Sequence, residues 1–73
     1  MKILPTRKQK QLLTFIVDFQ KLQGISPSYK EMAEAMNMKS LSTAHAMVDR
    51  LVERGYLQRT IPGMSRSLHV LQE

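Results

Sequence analysis

The sequence contains no cysteine and no tryptophan, and only 6 acidic residues against 11 lysines and arginines. Without cysteine there can be no disulfide and no cysteine-ligated metal, so stability must come from packing. The same absence suits a reducing compartment. No run of about 18 apolar residues occurs, which excludes a membrane-spanning helix. The opening MKILPTRKQKQ lacks the apolar centre of a secretory signal. These absences point to a soluble, cytoplasmic protein. No internal repeat or low-complexity linker divides the 73 residues, so a single domain over 1–73 with a modest core is expected.

Catalytic patterns are missing as well. Serine, lysine and histidine are present, but not as a nucleophile elbow, and there is no phosphate loop and no pair of carboxylates at a site. Glu31 and Glu34 lie on one short predicted helix and read as cap and surface. Two isolated histidines, His45 and His69, do not make a metal site. No enzyme activity, cofactor, metal or small-molecule ligand is expected.

What is present is positive charge, unevenly spread. The net charge is +5. Residues 1–22 carry Lys2, Arg7, Lys8, Lys10 and Lys21 against Asp18 alone. Residues 23–54 balance, and residues 55–73 hold Arg59 and Arg66 against Glu73. A small basic domain favours a polyanion such as nucleic acid, although a basic surface can also serve solubility alone.

The local signals give the order helix, helix, turn, helix, hairpin. Thr6 and Gln9 form a capping-box pattern. Leu12, Leu13, Phe15, Ile16, Phe19 and Leu22 follow at helical spacing, and Gly24 ends a helix over about 7–22. Ser28 and Glu31 repeat the capping pattern after Pro27, and helix 2 runs to about Met36, with Met32, Ala33 and Met36 inward. Asn37 is the candidate for a left-handed turn residue. Helix 3 covers about 41–54 and stops at Gly55. At 100° per residue its Ala44, Met47, Val48 and Leu51 gather on one side, and Ser42, His45, Ala46, Asp49 and Glu53 on the other. Residues 56–60 and 66–71 are strand-like around a Pro62-Gly63 turn, with Leu68 and Val70 sharing a face. Most of the 6 methionines fall at core spacing and read as packing.

Helix 3 is unusually bare at its front. An ordinary surface helix would carry charged residues there, whereas this one has SLSTAHA. Two helices joined by a tight turn, the second with a small polar front, make the helix-turn-helix pattern, and the hairpin would be its wing. The fold class is therefore mostly α with a small β-hairpin: a winged helix-turn-helix of three helices plus wing. A recognition helix inserts its N-terminal part into the major groove, where bulky residues would hold the backbone away from the bases. Ser42 and Thr43 can hydrogen-bond base edges, Ala46 can sit against a thymine methyl, and His45 can donate or accept. Ser40 or Ser42 can equally serve as a simple cap. For the DNA backbone the candidates are Ser28, Tyr29, Lys30, Lys39 and Arg66, with Arg59, Lys8 and Lys10 weaker. Tyr29 either offers its hydroxyl to a phosphate or only packs its ring. His69 reads as structural, and Met64 as an apolar wing tip.

These segments carry a resemblance along nearly the whole chain. LPTRKQKQLLTFI, GISPSYKEMAEAM, MKSLSTAHAMVDRLVERGYL and SRSLHVL are together similar to the N-terminal DNA-binding domain of the LexA repressor family. The resemblance implies operator binding on double-stranded DNA and transcriptional repression of the kind used in an SOS response. By position it implies DNA contacts at Ser40, Ser42, Thr43, His45 and Ala46. Asn37 replaces the turn glycine of many relatives, which is tolerable because asparagine also takes positive φ. The family's self-cleaving serine–lysine protease domain, which also dimerises, has no counterpart here, so no self-cleavage and weaker or altered dimerisation are expected. Two copies on a palindromic operator would raise specificity. The rival reading is a winged-helix protein-interaction module, an adaptor or antagonist, which the outward carboxylates Asp49 and Glu53 mildly favour because they repel phosphate.

Overall fold

The start of each of the first two helices is set by a reciprocal pair of short-range hydrogen bonds. The computed structural model describes residues 6–60 and 68–72. In chain order the elements are α1 (Arg7–Gln23), α2 (Tyr29–Ala35), α3 (Leu41–Glu53), β1 (Leu57–Arg59) and β2 (Leu68–Val70). Both predicted capping boxes form. Thr6 Oγ1 accepts from the Gln9 N–H at 3.2 Å while Gln9 Oε1 accepts from the Thr6 N–H at 3.1 Å. Ser28 Oγ accepts from the Glu31 N–H at 3.1 Å while Glu31 Oε1 accepts from the Ser28 N–H at 2.7 Å. Each box satisfies backbone donors that a helix start otherwise leaves without partners.

The helix ends are set by residues in the left-handed region. Gly24, at φ 75°, donates to the Gln20 carbonyl and closes α1. Asn37, at φ 55°, and Gly55, at φ 82°, each sit in a two-bond Schellman stop. After α2, the Met38 N–H reaches the Ala33 carbonyl and the Asn37 N–H the Glu34 carbonyl. After α3, the Tyr56 N–H reaches the Leu51 carbonyl and the Gly55 N–H the Val52 carbonyl. The first stop turns the chain into α3, and the second turns it out of α3 into the hairpin.

The core gathers between the three helices and the hairpin. It contains Leu12, Leu13 and Ile16 of α1, Met32 and Ala33 of α2, Ala44, Val48 and Leu51 of α3, and Tyr56, Leu57 and Leu68. Met36, Met38 and Met47 pack against its edge, so methionine does act as filler. One expectation for α1 needs correction. Leu22 belongs to the apolar series but is 82% exposed, and Phe15 and Phe19 are only partly buried. The buried stripe is Gln9, Leu12, Leu13, Ile16 and Val17. At about 100° per residue, Leu22 lies about 150° from the centre of that stripe. An apolar residue at helical spacing thus fell on the wrong side of the wheel.

The hairpin is antiparallel, with Leu57 opposite Val70, Gln58 opposite His69 and Arg59 opposite Leu68. Leu68 is buried and Val70 half-buried on one face, as the alternation predicts. His69, expected to be structural, has an exposed side chain and contributes its backbone pairing. The hairpin is fastened to the helices by polar contacts. Buried Ser26 donates its hydroxyl to the Leu68 carbonyl at 2.9 Å, and Gln20 Nε2 donates to the same carbonyl at 3.1 Å. The wing turn at Pro62-Gly63, together with Met64 and Arg66, lies outside the described residues.

Leu51 is wholly buried where α3 meets both the core and β1. Leu51→Ala is expected to cost about 2–5 kcal/mol through lost burial and an unfilled cavity. Urea unfolding followed by circular dichroism measures this. A loss under about 1 kcal/mol would mean the core is not organised around α3.

Candidate nucleic-acid interface

The apolar stripe of α3 decides what its other side presents. Because Ala44, Val48 and Leu51 are buried, Ser42, Thr43, His45, Ala46, Asp49 and Glu53 face outward and are exposed. Ser40, at the helix entry, is exposed too. These five candidates for base contact, Ser40, Ser42, Thr43, His45 and Ala46, therefore lie together at one end of one helix. Leu41 joins them: it is half exposed in the first turn, an apolar residue that sequence reading passed over.

Capping, the plain alternative for Ser40, is not what its side chain does. Ser40 occupies the N-cap position of α3 but makes no side-chain cap hydrogen bond. Its hydroxyl instead pairs with Ser42 Oγ at 3.0 Å and Thr43 Oγ1 at 3.2 Å. The result is an exposed cluster of hydroxyls that can each donate or accept by rotating the O–H bond. The first turn of α3 contains no acidic residue to repel an anion.

Four residues from three elements meet beside this end. The Tyr29 and His45 rings stack with centroids 3.5 Å apart and planes 26° from parallel. The Tyr29 hydroxyl accepts from Arg59 Nη2 at 3.3 Å, and the same nitrogen donates to Asp49 Oδ1 in an ion pair. These bonds, with Tyr29 first and Asp49 after it, outweigh the partial burial and hold the Arg59 guanidinium above its ordinary pKa. A raised folded-state pKa contributes stability that is fully present below the unfolded value. It is lost only as pH rises through the folded one, so Arg59 stays charged throughout the range in which proteins normally fold. Asp49, expected to repel phosphate, is partnered by this arginine. Tyr29 is buried, and its ring packs; Arg59 is engaged within the fold.

The other candidates divide. Lys39 is exposed and lines a cleft of about 320 Å³ with Thr43 and Lys8. Lys8 was a weak candidate by sequence, and nothing local connects it to Lys39; only the packing of α1 beside the turn does. Ser28 is half-buried and holds the α2 cap, whereas Lys30 is exposed in the first turn of α2. Arg66 lies outside the described residues. Among the described residues no cluster of histidine and carboxylate groups could hold a metal, and no helix is long and apolar enough to cross a membrane.

Comparison with known proteins bears on this surface. The family model described as the LexA DNA binding domain matches residues 1–67. The chain is 47% identical over 68 residues to the LexA repressor of Novosphingobium aromaticivorans, covering 93% of this chain and 29% of that protein. It is 48% identical over 67 residues to the LexA repressor of Rhodospirillum rubrum, covering 92% of this chain and 26% of that protein. The LexA repressor of Erythrobacter litoralis is 41% identical over 68 residues, with 93% and 29% covered. The chain thus spans under a third of the length of these relatives.

The Arg59–Asp49 pair is partly exposed, with side chains 24% and 55% accessible. Solvent screening limits what such a pair contributes. Asp49→Ala is expected to change stability by less than about 1 kcal/mol in chemical denaturation. Arg59→Met should do little more, and a much larger loss would show that the pair is a main support of the fold.

Proposed function

The chain belongs to the LexA DNA-binding domain family, and from that premise we propose that it binds operator sequences in double-stranded DNA and acts as a transcriptional repressor. The observation that carries this reading is the small, polar, outward-facing front of α3. In this reading α3 enters the major groove. Ser40, Ser42, Thr43, His45 and Ala46 read base edges, with Leu41 against a thymine methyl. The wing, over about 56–71, lies along the neighbouring backbone or minor groove, with Arg66 toward phosphate. Ser28, Lys30 and Lys39, together with Lys8, fix the register on phosphates and carry no sequence information.

Two copies on a palindromic operator would convert modest single-site affinity into a longer-lived complex. The protein-interaction reading is not favoured. Its support is the outward pair Asp49 and Glu53: Asp49 is paired with Arg59, and Glu53 is the last residue of α3, at the end away from the polar front.

The test is selection from randomised duplex DNA at two salt concentrations, followed by sequencing of the retained pool. One enriched motif is expected, with retention falling steeply as salt rises. Ser42→Ala or His45→Ala should relax the preference at one base pair per half-site, a loss of about 1–3 kcal/mol of discrimination. Lys39→Gln should weaken all sequences alike and reduce the salt slope by about one. No retention at low salt would overturn the repressor reading.

A further inference from the structure

We propose that Tyr29 is a positioning residue for base recognition: its buried ring holds His45 in one orientation on the exposed front of α3. This rests on the function proposed above. A histidine on the outer face of a helix ordinarily samples several rotamers and must be ordered when it binds. Here its ring stacks on that of Tyr29, at 3.5 Å between centroids and 26° from parallel. Stacking occupies the face of the imidazole. Both nitrogens lie in the ring plane, so its hydrogen-bonding edge remains open.

The platform is itself fixed. Tyr29 is 8% exposed and begins α2 directly after the Ser28 cap. Its hydroxyl is tied to Arg59, and Arg59 to Asp49. Asp49 is one helical turn beyond His45 on α3. The connections therefore run from α3 to α2 through the ring stack, from α2 to β1 through the phenol, and back to α3 through the ion pair. A closed circuit of this kind removes rotamer freedom from His45 before any DNA arrives. It also explains why a tyrosine at a predicted phosphate-contact position is buried. Its ring face is committed to His45, and its hydroxyl already accepts a hydrogen bond.

The test combines a readout without DNA and one with it. In proton NMR of the whole chain, the His45 ring protons should be shifted upfield by the Tyr29 ring. The shift should survive Tyr29→Phe and vanish in Tyr29→Leu. In the randomised-duplex selection, Tyr29→Leu should weaken the preferred motif about 3- to 10-fold, the cost of ordering one free side chain. It should relax the same base pair as His45→Ala, and the double variant should be no worse than His45→Ala alone. Tyr29→Phe, which keeps the ring, should retain that preference. Thermal unfolding checks that each variant folds; if Tyr29→Leu does not, Tyr29→Met replaces it.

An unshifted His45 overturns the proposal, and so does a folded ring-less variant that keeps full discrimination. Uniform weakening of all sequences by Tyr29→Phe would mean a phosphate contact through the hydroxyl and would overturn it as well. A shifted His45 in a wild-type chain that enriches no motif would instead bring down the DNA-binding reading, and the positioning role with it.

Discussion

Ala44, Val48 and Leu51 of α3 are wholly buried, and the orientation they impose governs the rest of the molecule. Residues four apart share a helix face, so burying this stripe turns Ser42, Thr43, His45, Ala46 and Asp49 outward. Ala44 matters through its size. A methyl group on the buried face of a helix keeps little bulk between it and its neighbours, and Ala44 shares one core with Met32 and Ala33 of α2. The Schellman stops at Asn37 and Gly55 serve the same end: they set where α3 enters and leaves the core.

Around this arrangement, a few long-range polar contacts fasten elements that apolar packing alone would leave free to slide. Arg54 at the end of α3 donates to Gln9 Oε1 at 2.7 Å, and that same oxygen closes the capping box of α1. Gln9 is mostly buried, so one side chain both starts a helix and anchors another. Ser26 and Gln20 hold β2 through the Leu68 carbonyl, and Gln72 Nε2 donates to the Gly55 carbonyl at 2.9 Å. Hydrogen bonds of this kind contribute about 1 kcal/mol each. Their larger effect is directional: they fix the angle between hairpin and helices, and hence where a wing would lie relative to α3.

The legible features were those in which cause and effect lie within about one helical turn. The capping boxes at Thr6 and Ser28 could be read because both partners are three residues apart. The left-handed positions at Gly24, Asn37 and Gly55 could be read from residue type. The two faces of α3 followed from its period. Spacing alone misled at Leu22, which is three and seven residues from Phe19 and Phe15 yet lies opposite the buried stripe once each residue is given its angle. Val17, not Leu22, completes the buried stripe of α1.

By itself, the sequence determined the order of the elements, their ends, the exposed polar front of α3 and the family to which the chain belongs. Those depend on backbone propensity, capping and periodicity, all of which act locally along the chain. Only the tertiary structure decided the partners of Tyr29, Asp49 and Arg59. Arg59 and Tyr29 are 30 residues apart, and Gln9 and Arg54 are 45 apart. No local rule connects such residues. They meet because the buried faces of α1, α2 and α3 pack against one another. That packing gathers Tyr29, Asp49 and Arg59 into one connected set beside His45.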